Sequence, residues 1–325
     1  MHNELAVAFI NLSTCSLFGF LIGPLVKNFG YKYNILDIPN SRKIHKSPIV
    51  RIGGLTIFLT CLFFLIINNL FIKFENINFL ESEKLTILMI GAFFYFLLGL
   101  HDDIYRSSPL LRLFIQTILA LAVSLSGINL SNITLSFPFL GTLDLTFPLF
   151  ISHLLTCLWI VGITNAINWL DGFDGLAAGF SFFVSLSILI SSFILGNIEG
   201  IIVFSIFLGS IAGFLIRNFK PAFYIMGDCG SYFIGFFLST GAIYFSSKGF
   251  ENPIPFMYII ILFSLPILDM IFVILNRFRK RLNPLKPDAN HIHHRLIRAN
   301  FSYKNIITII YAYSIFSIVL ANNFL

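Results

Sequence analysis

Charge is scarce in this sequence. Of its 325 residues only 11% are Asp, Glu, Lys or Arg, while 57% are hydrophobic and the mean hydropathy is +0.88. So few polar side chains cannot clothe a soluble globule, and a water-soluble domain is excluded. Cysteine is scarce too: Cys15, Cys61, Cys157 and Cys229 stand far apart without CxxC spacing, so neither a zinc knuckle nor a disulfide framework is signalled. They read as free thiols. Lys and Arg are missing ahead of the first apolar run, which carries Glu4 instead; a cleaved secretory signal would need the opposite charge, so this run is expected to stay as the first helix. A soluble basic domain is also missing, and the net charge of +6 therefore does not point to nucleic acid.

What is abundant is phenylalanine, 40 residues of it, within repeated Ile/Leu/Phe runs. These runs approach the roughly 20 residues that a helix needs to cross a hydrocarbon core, whereas barrel strands would alternate over about ten. The expected fold is all-α, a polytopic integral membrane protein forming a single domain over 1–325. About ten spans are predicted, at 5–26, 53–72, 84–100, 109–128, 149–166, 175–195, 200–216, 230–246, 254–275 and 304–322. The mixed segment 129–148, with Gly141 and two prolines, reads as an external loop or hairpin.

With that parity, the loops 27–52, 101–108, 167–174, 217–229 and 276–303 share one face and hold most of the Lys and Arg, whereas the opposite loops contribute Lys73, Lys84 and Lys248. The positive-inside rule makes the first face cytoplasmic, leaves both termini outside, and suits the basic face to anionic headgroups or phosphorylated substrates.

The unusual acids gather on the same face. They are Asp102 and Asp103 in GLHDDIYRSSP, Asp171 and Asp174 in NWLDGFDGLAAG, and Asp228 in YIMGDCGSYF, joined by His291, His293 and His294 of NHIHHRL. Each has a plainer reading: a solvated loop beside Arg106, capping acids in a glycine turn, an N-cap for the following span. The histidines lack accompanying cysteines, which disfavours zinc. Asp269, inside the ninth span after Pro266, fits a buried hydrogen-bonded role. The convergence of four distant clusters is the stronger signal. Adjacent aspartates repel unless a cation or a shared proton relieves them, and oxygen ligands without thiolates favour Mg²⁺, with Mn²⁺ as a substitute. Basic side chains suited to phosphate lie nearby: Arg42, Lys43, His45 and Lys46, Arg51 before Gly53-Gly54, and Arg295 beside the histidines. Helical spacing puts Asn168, Asp171 and Gly175 on one face with Asp174 at its edge. This pattern suits phosphoryl transfer from a nucleotide.

PNSRKIHKSPIVRIGG, GLHDD, NAINWLDGFDGLAAG, MGDCGS and HIHHRL together resemble the polyprenyl-phosphate N-acetylhexosamine-1-phosphate transferases of glycosyltransferase family 4, a family that includes the muramyl-pentapeptide transferase. RKxHxxP and HxHH are similar to the branch that starts O-antigen, common-antigen or teichoic acid synthesis. The resemblance implies transfer of a sugar 1-phosphate from a UDP-N-acetylhexosamine to undecaprenyl phosphate, releasing UMP, at the cytoplasmic face of the bacterial inner membrane. The membrane lipids surround it, and a homodimer is left open. Asp228 matches the metal-binding Asp and Asn168 an Asn that adds an amide oxygen. Asp102 and Asp103 match the pair that binds or deprotonates the lipid phosphate. Asp171 and Asp174 match the nucleotide pocket, with Asp174 reading uracil, and the histidines match the loop that closes on the phosphates.

The chain departs from the family twice. Cys229 replaces the Thr after the metal-binding Asp, and Ile225 replaces the aromatic that stacks on uracil in the muramyl branch, leaving Phe223 or Tyr224. Cys229 is thereby expected to be a modestly reactive thiol beside the donor. The rival readings are weaker: a CDP-alcohol phosphotransferase fails at Gly179, where its motif needs Arg, and a transporter would place acids mid-span and show inverted repeats.

Overall fold

The computed structural model describes residues 2–39, 47–71, 82–137, 141–247, 250–282 and 290–325. Long helices dominate: α1 (His2–Lys32), α2 (Gly54–Phe71), α3 (Glu83–Tyr105), α4 (Pro109–Leu125), α5 (Leu149–Leu170), α6 (Leu176–Ile194), α7 (Ile198–Asn218) and α8 (Gly227–Phe245). They are followed by α9 (Phe256–Leu262), α10 (Ser264–Arg279), the short α11 (Ile292–Arg298) and α12 (Tyr303–Ala321). Two small antiparallel pairs complete it, β1 (Leu36–Asp37) with β2 (Ile49–Val50), and β3 (Asn132–Phe137) with β4 (Gly141–Thr146). The second pair is the hairpin expected in 129–148.

Each expected span has a helix, but they are not equivalent. Among the described residues six are long and apolar enough to cross a membrane, and a seventh results if α9 and α10, bent by 63°, count as one broken span. Pro266 lies in the first turn after the bend and has no N–H to continue the ladder. α2 and α4 are shorter apolar helices. α8 is absent from the six for a packing reason. Its Gly, Ser, Thr and Tyr dilute its hydropathy, yet every residue from Cys229 to Phe245 is buried by other helices, so it does not need to satisfy lipid.

Close approach around α8 depends on glycine. A Cβ on Gly54 of α2 would lie 2.2 Å from the Gly230 Cα, one on Gly99 of α3 2.2 Å from the Asp228 carbonyl oxygen, and one on Gly235 2.6 Å from the Thr164 Cα of α5. Gly209 and Gly213 do the same for α7 against α1, the small-xxx-small device of membrane helix pairs. Pro24 leaves the Phe20 carbonyl of α1 without its helical donor, and Arg217 Nε supplies one at 2.9 Å. Outward faces stay apolar, as at Phe9, Phe114 and Phe150. The C-terminal ends of α1, α3, α5 and α7 and the N-terminal ends of α2, α4, α6, α8 and α12 carry or adjoin the residues of the candidate site.

Candidate active site

The segment before α8 sets the frame. Ile225 N–H donates to Val50 of β2 at 3.0 Å, while Gly53 and Gly54 N–H donate to Ile225 and Met226 at 2.8 Å each. Gly227 then turns the chain at φ +73°, in a space where a Cβ would meet the Arg51 carbonyl oxygen at 1.9 Å. This places Asp228 in the first turn of α8, directly beside the end of α3.

Asp103 uses both carboxylate oxygens. Oδ1 accepts from Arg51 Nε at 2.8 Å and from the Asp228 N–H at 2.9 Å, and Oδ2 accepts from the Cys229 N–H at 2.9 Å. It therefore caps α8 from a neighbouring helix. Asp228 accepts from Asn168 Nδ2 at 2.9 Å through Oδ1, and its Oδ2 lies 3.1 Å from Arg112 Nη1 and 3.4 Å from Arg51 Nη2. Arg112 Nη1 also donates to Asp102 Oδ2 at 2.6 Å. The other oxygen of Asp102 is buried without a hydrogen-bond partner. Three aspartates thus share two arginines, and one carboxylate oxygen is left over.

Asn168 directs its amide nitrogen to Asp228 and to Ser231 Oγ at 2.8 Å, so it orients the carboxylate. Beyond it α5 ends at Leu170, and Asp171 to Gly175 form a turn instead of continuing the helical face expected from spacing. Gly175 adopts φ +75° and its N–H is caught by Asn218 Oδ1 at 2.9 Å, while Tyr303 and Tyr311 hydroxyls donate to the Asp174 and Gly175 carbonyls. Burial lifts the Asp171 carboxyl well above the usual carboxylate range, and the charges of Asp228 and Asp103 push the same way against Arg51.

A cleft of about 530 Å³ opens beside this cluster, lined by Asp171, Asp174, His294, Lys27, Lys220, Tyr303 and Phe223 among others. Of the two aromatic candidates, Phe223 lines the cleft with Lys27 Nζ 3.5 Å from its ring centre, whereas Tyr224 is fully buried and stacks on Phe214. The histidines separate into three environments. His294 lines the cleft. His291 pairs with Asp269 at 3.0 Å. His293 is 1% exposed, neither ring nitrogen has a partner, and a Cβ on Gly172 would lie 2.6 Å from its Nε2. Burial pushes His293 down to about 3, aided by His294 and His291, so this ring is neutral at physiological pH. Arg295 reaches Asp269 rather than the cleft acids. Arg42, Lys43, His45 and Lys46 lie outside the described residues.

Arg112 was missed in the sequence because it sits within an apolar run, though a lone charge inside a membrane segment is itself a signal. Cys229 corrects the expectation of a reactive thiol at the donor. It is fully buried, and its Sγ points to the Met226 carbonyl at 3.6 Å. Cys15, Cys61 and Cys157 are buried as well. N-ethylmaleimide treatment of the folded protein is therefore expected to leave turnover unchanged and to add no adduct by intact-protein mass; an adduct mapped to Cys229 would contradict this packing.

A cation between Asp102 and Asp228 fits the residues present. Asp102 offers its unpartnered oxygen, and Mg²⁺ commonly takes one or two carboxylates and completes its shell with substrate phosphates. No group of three His, Cys, Asp or Glu converges on a metal position among the described residues.

The Glycosyl transferase family 4 model matches residues 85–246, which contain Asp102, Asp103, Arg112, Asn168, Asp171, Asp174 and Asp228. The chain is 34% identical over 295 residues to a probable undecaprenyl-phosphate N-acetylglucosaminyl 1-phosphate transferase of Bacillus subtilis, covering 90% of this chain and 77% of that one. It is 30% identical to an undecaprenyl-phosphate alpha-N-acetylglucosaminyl 1-phosphate transferase of Thermotoga maritima, covering 91% and 84%. A decaprenyl-phosphate N-acetylglucosaminephosphotransferase of Mycobacterium tuberculosis shares 28%, covering 94% and 79%. With an aspartate and arginine cluster on one end of a helical membrane bundle, and likeness of this extent along nearly the whole chain, the protein belongs to glycosyl transferase family 4.

Proposed function

We propose that the protein transfers a sugar 1-phosphate from a UDP-N-acetylhexosamine to undecaprenyl phosphate, giving the lipid diphosphosugar and UMP. The observation that carries it is the 530 Å³ cleft lined by Asp171 and Asp174, with the Asp102, Asp103, Asp228, Arg51 and Arg112 cluster near enough for Asp228, Asp103 and Arg51 to act on the Asp171 carboxyl. On this reading the cleft takes the water-soluble donor, and the acid and arginine cluster meets the phosphate of the lipid acceptor. The relatives' names support a polyprenyl phosphate acceptor and N-acetylglucosamine 1-phosphate as the group moved. One-sided Lys and Arg support a site on the cytoplasmic face of the bacterial inner membrane, with the product starting an envelope polysaccharide.

In the reaction an oxygen of the acceptor phosphate attacks the sugar-bearing phosphorus of the donor. The bond from that phosphorus to the UMP oxygen breaks, and the electron pair leaves with UMP. Both reactants are anionic, so catalysis rests on positioning and on charge. Arg51 and Arg112 supply fixed positive charge, and Asn168 orients Asp228. Asp171 and Asp174 face the nucleoside side of the cleft, where Phe223 offers a ring for the base. Mg²⁺, held by Asp228 and Asp102, would draw charge from the phosphate oxygens.

The test is direct. Purified protein with UDP-GlcNAc is expected to release UMP only when undecaprenyl phosphate and Mg²⁺ are both present, with EDTA abolishing release and Mn²⁺ restoring part of it. Release without the lipid would make it a hydrolase; EDTA-resistant release would remove the metal. A panel of other UDP-N-acetyl sugars then identifies the donor.

A further inference from the structure

Asp269 is an acid that the reaction above does not use. It lies on α10, 5% exposed, between Leu268 and Met270, where a bare carboxylate is costly. Both oxygens are committed to α11. Oδ2 meets His291 Nδ1 at 3.0 Å, while Oδ1 accepts from the Ile292 N–H at 2.7 Å and from Arg295 Nη2 at 3.1 Å. α11 has no side-chain cap of its own, so Asp269 serves as its cap from another helix. The Arg295 guanidinium also rests on Phe272, 3.9 Å from the ring centre and one turn along α10. On its other side, the His291 ring packs against Trp169 at 5.1 Å, the residue after the Asn168 that holds Asp228. A continuous line of contacts therefore joins Asp269 to the carboxylate cluster.

An ionised carboxylate only accepts hydrogen bonds, so the proton between the two residues sits on His291 Nδ1. We propose that Asp269 is a positioning residue for the transfer reaction. By taking the Nδ1 proton it fixes the tautomer and tilt of His291 against Trp169, next to the Asn168 that orients Asp228, and by holding Ile292 and Arg295 it sets α11 beside the cleft that His294 lines. This rests on the reaction proposed above. A purely structural anchor would need the same bonds, but the two roles differ in what asparagine does. In Asp269→Asn the amide oxygen still accepts from Ile292 and Arg295, while Nδ2 faces His291 and forces the proton onto Nε2.

With UDP-GlcNAc and undecaprenyl phosphate, Asp269→Asn is expected to lower kcat by about tenfold or more, leaving KM for the donor within about twofold. The double variant with His291→Asn should fall no further than His291→Asn alone, and Asp269→Glu should recover part of kcat. A wild-type kcat in Asp269→Asn, or losses that multiply in the double variant, would overturn the proposal. Nitrogen-15 histidine NMR of the wild-type protein, assigned with His291→Asn, tests it without relying on any Asp269 variant: Nδ1 of His291 must be protonated, and a bare Nδ1 rejects the pairing. If no UDP-sugar yields UMP, the reaction is wrong, and the NMR result still stands alone on the Asp269–His291 pair.

Discussion

Asp228→Asn is expected to cut turnover by about a hundredfold or more while the protein stays folded. The carboxylate is met by Arg51, Arg112 and Asn168, and its backbone position is held independently by Asp103, which binds the Asp228 and Cys229 N–H groups. An asparagine keeps that backbone frame and keeps an acceptor for Asn168, but it gives up the charge that would hold Mg²⁺ and balance the arginines. Asp103→Asn is the informative contrast. Its amide nitrogen would face a backbone N–H or Arg51, donor against donor, at the point where α3 caps α8. That variant should lose turnover and also melt lower, whereas Asp228→Asn should melt near wild type. Melting curves in detergent with parallel UMP assays read both. Near-normal Mg²⁺-dependent turnover in Asp228→Asn would remove the metal assignment, and an unshifted melt in Asp103→Asn would remove the capping role.

The site was legible in the sequence to the extent that polarity in an apolar chain is legible. Asp102, Asp103, Asn168, Asp171 and Asp228 fall at helix ends that the parity of the spans assigns to one face, and there the structure joins them. What alternation along the chain does not encode is which way each of two neighbouring side chains points. Asp102 and Asp103 are adjacent on α3, yet the first turns to Arg112 and the second to the α8 backbone. The three histidines read as equals, but one turn of helix distributes them among the cleft, the Asp269 pair and a buried slot behind Gly172. Asp269 read as a buried hydrogen-bonded acid with no partner to name, since its partners lie more than twenty residues later across a basic connection. α8 shows the same limit in the fold. Hydropathy measures fitness for lipid, and a helix enclosed by other helices is released from that requirement, so Gly, Ser and Tyr accumulate in it.

Arg112→Met should also lower turnover by about a hundredfold, and it should change how the protein responds to Mg²⁺. Arg112 Nη1 stands 2.6 Å from Asp102 and 3.1 Å from Asp228, so one guanidinium nitrogen holds two carboxylates that would otherwise repel. Removing it deprives the phosphates of a fixed positive charge and makes the acid pair more negative. The second effect strengthens the attraction for a divalent cation, because the cation then replaces the lost charge instead of competing with it. Without Mg²⁺ the variant should melt below wild type; with Mg²⁺ it should regain more of its melting temperature than wild type gains. Arg112→Lys should fall between, keeping the charge but presenting it on a more flexible ammonium than the nitrogen that now meets both carboxylates. Turnover in Arg112→Met within about threefold of wild type would make the arginine a structural counterion only. An equal Mg²⁺ response in the two proteins would place the cation away from Asp102 and Asp228.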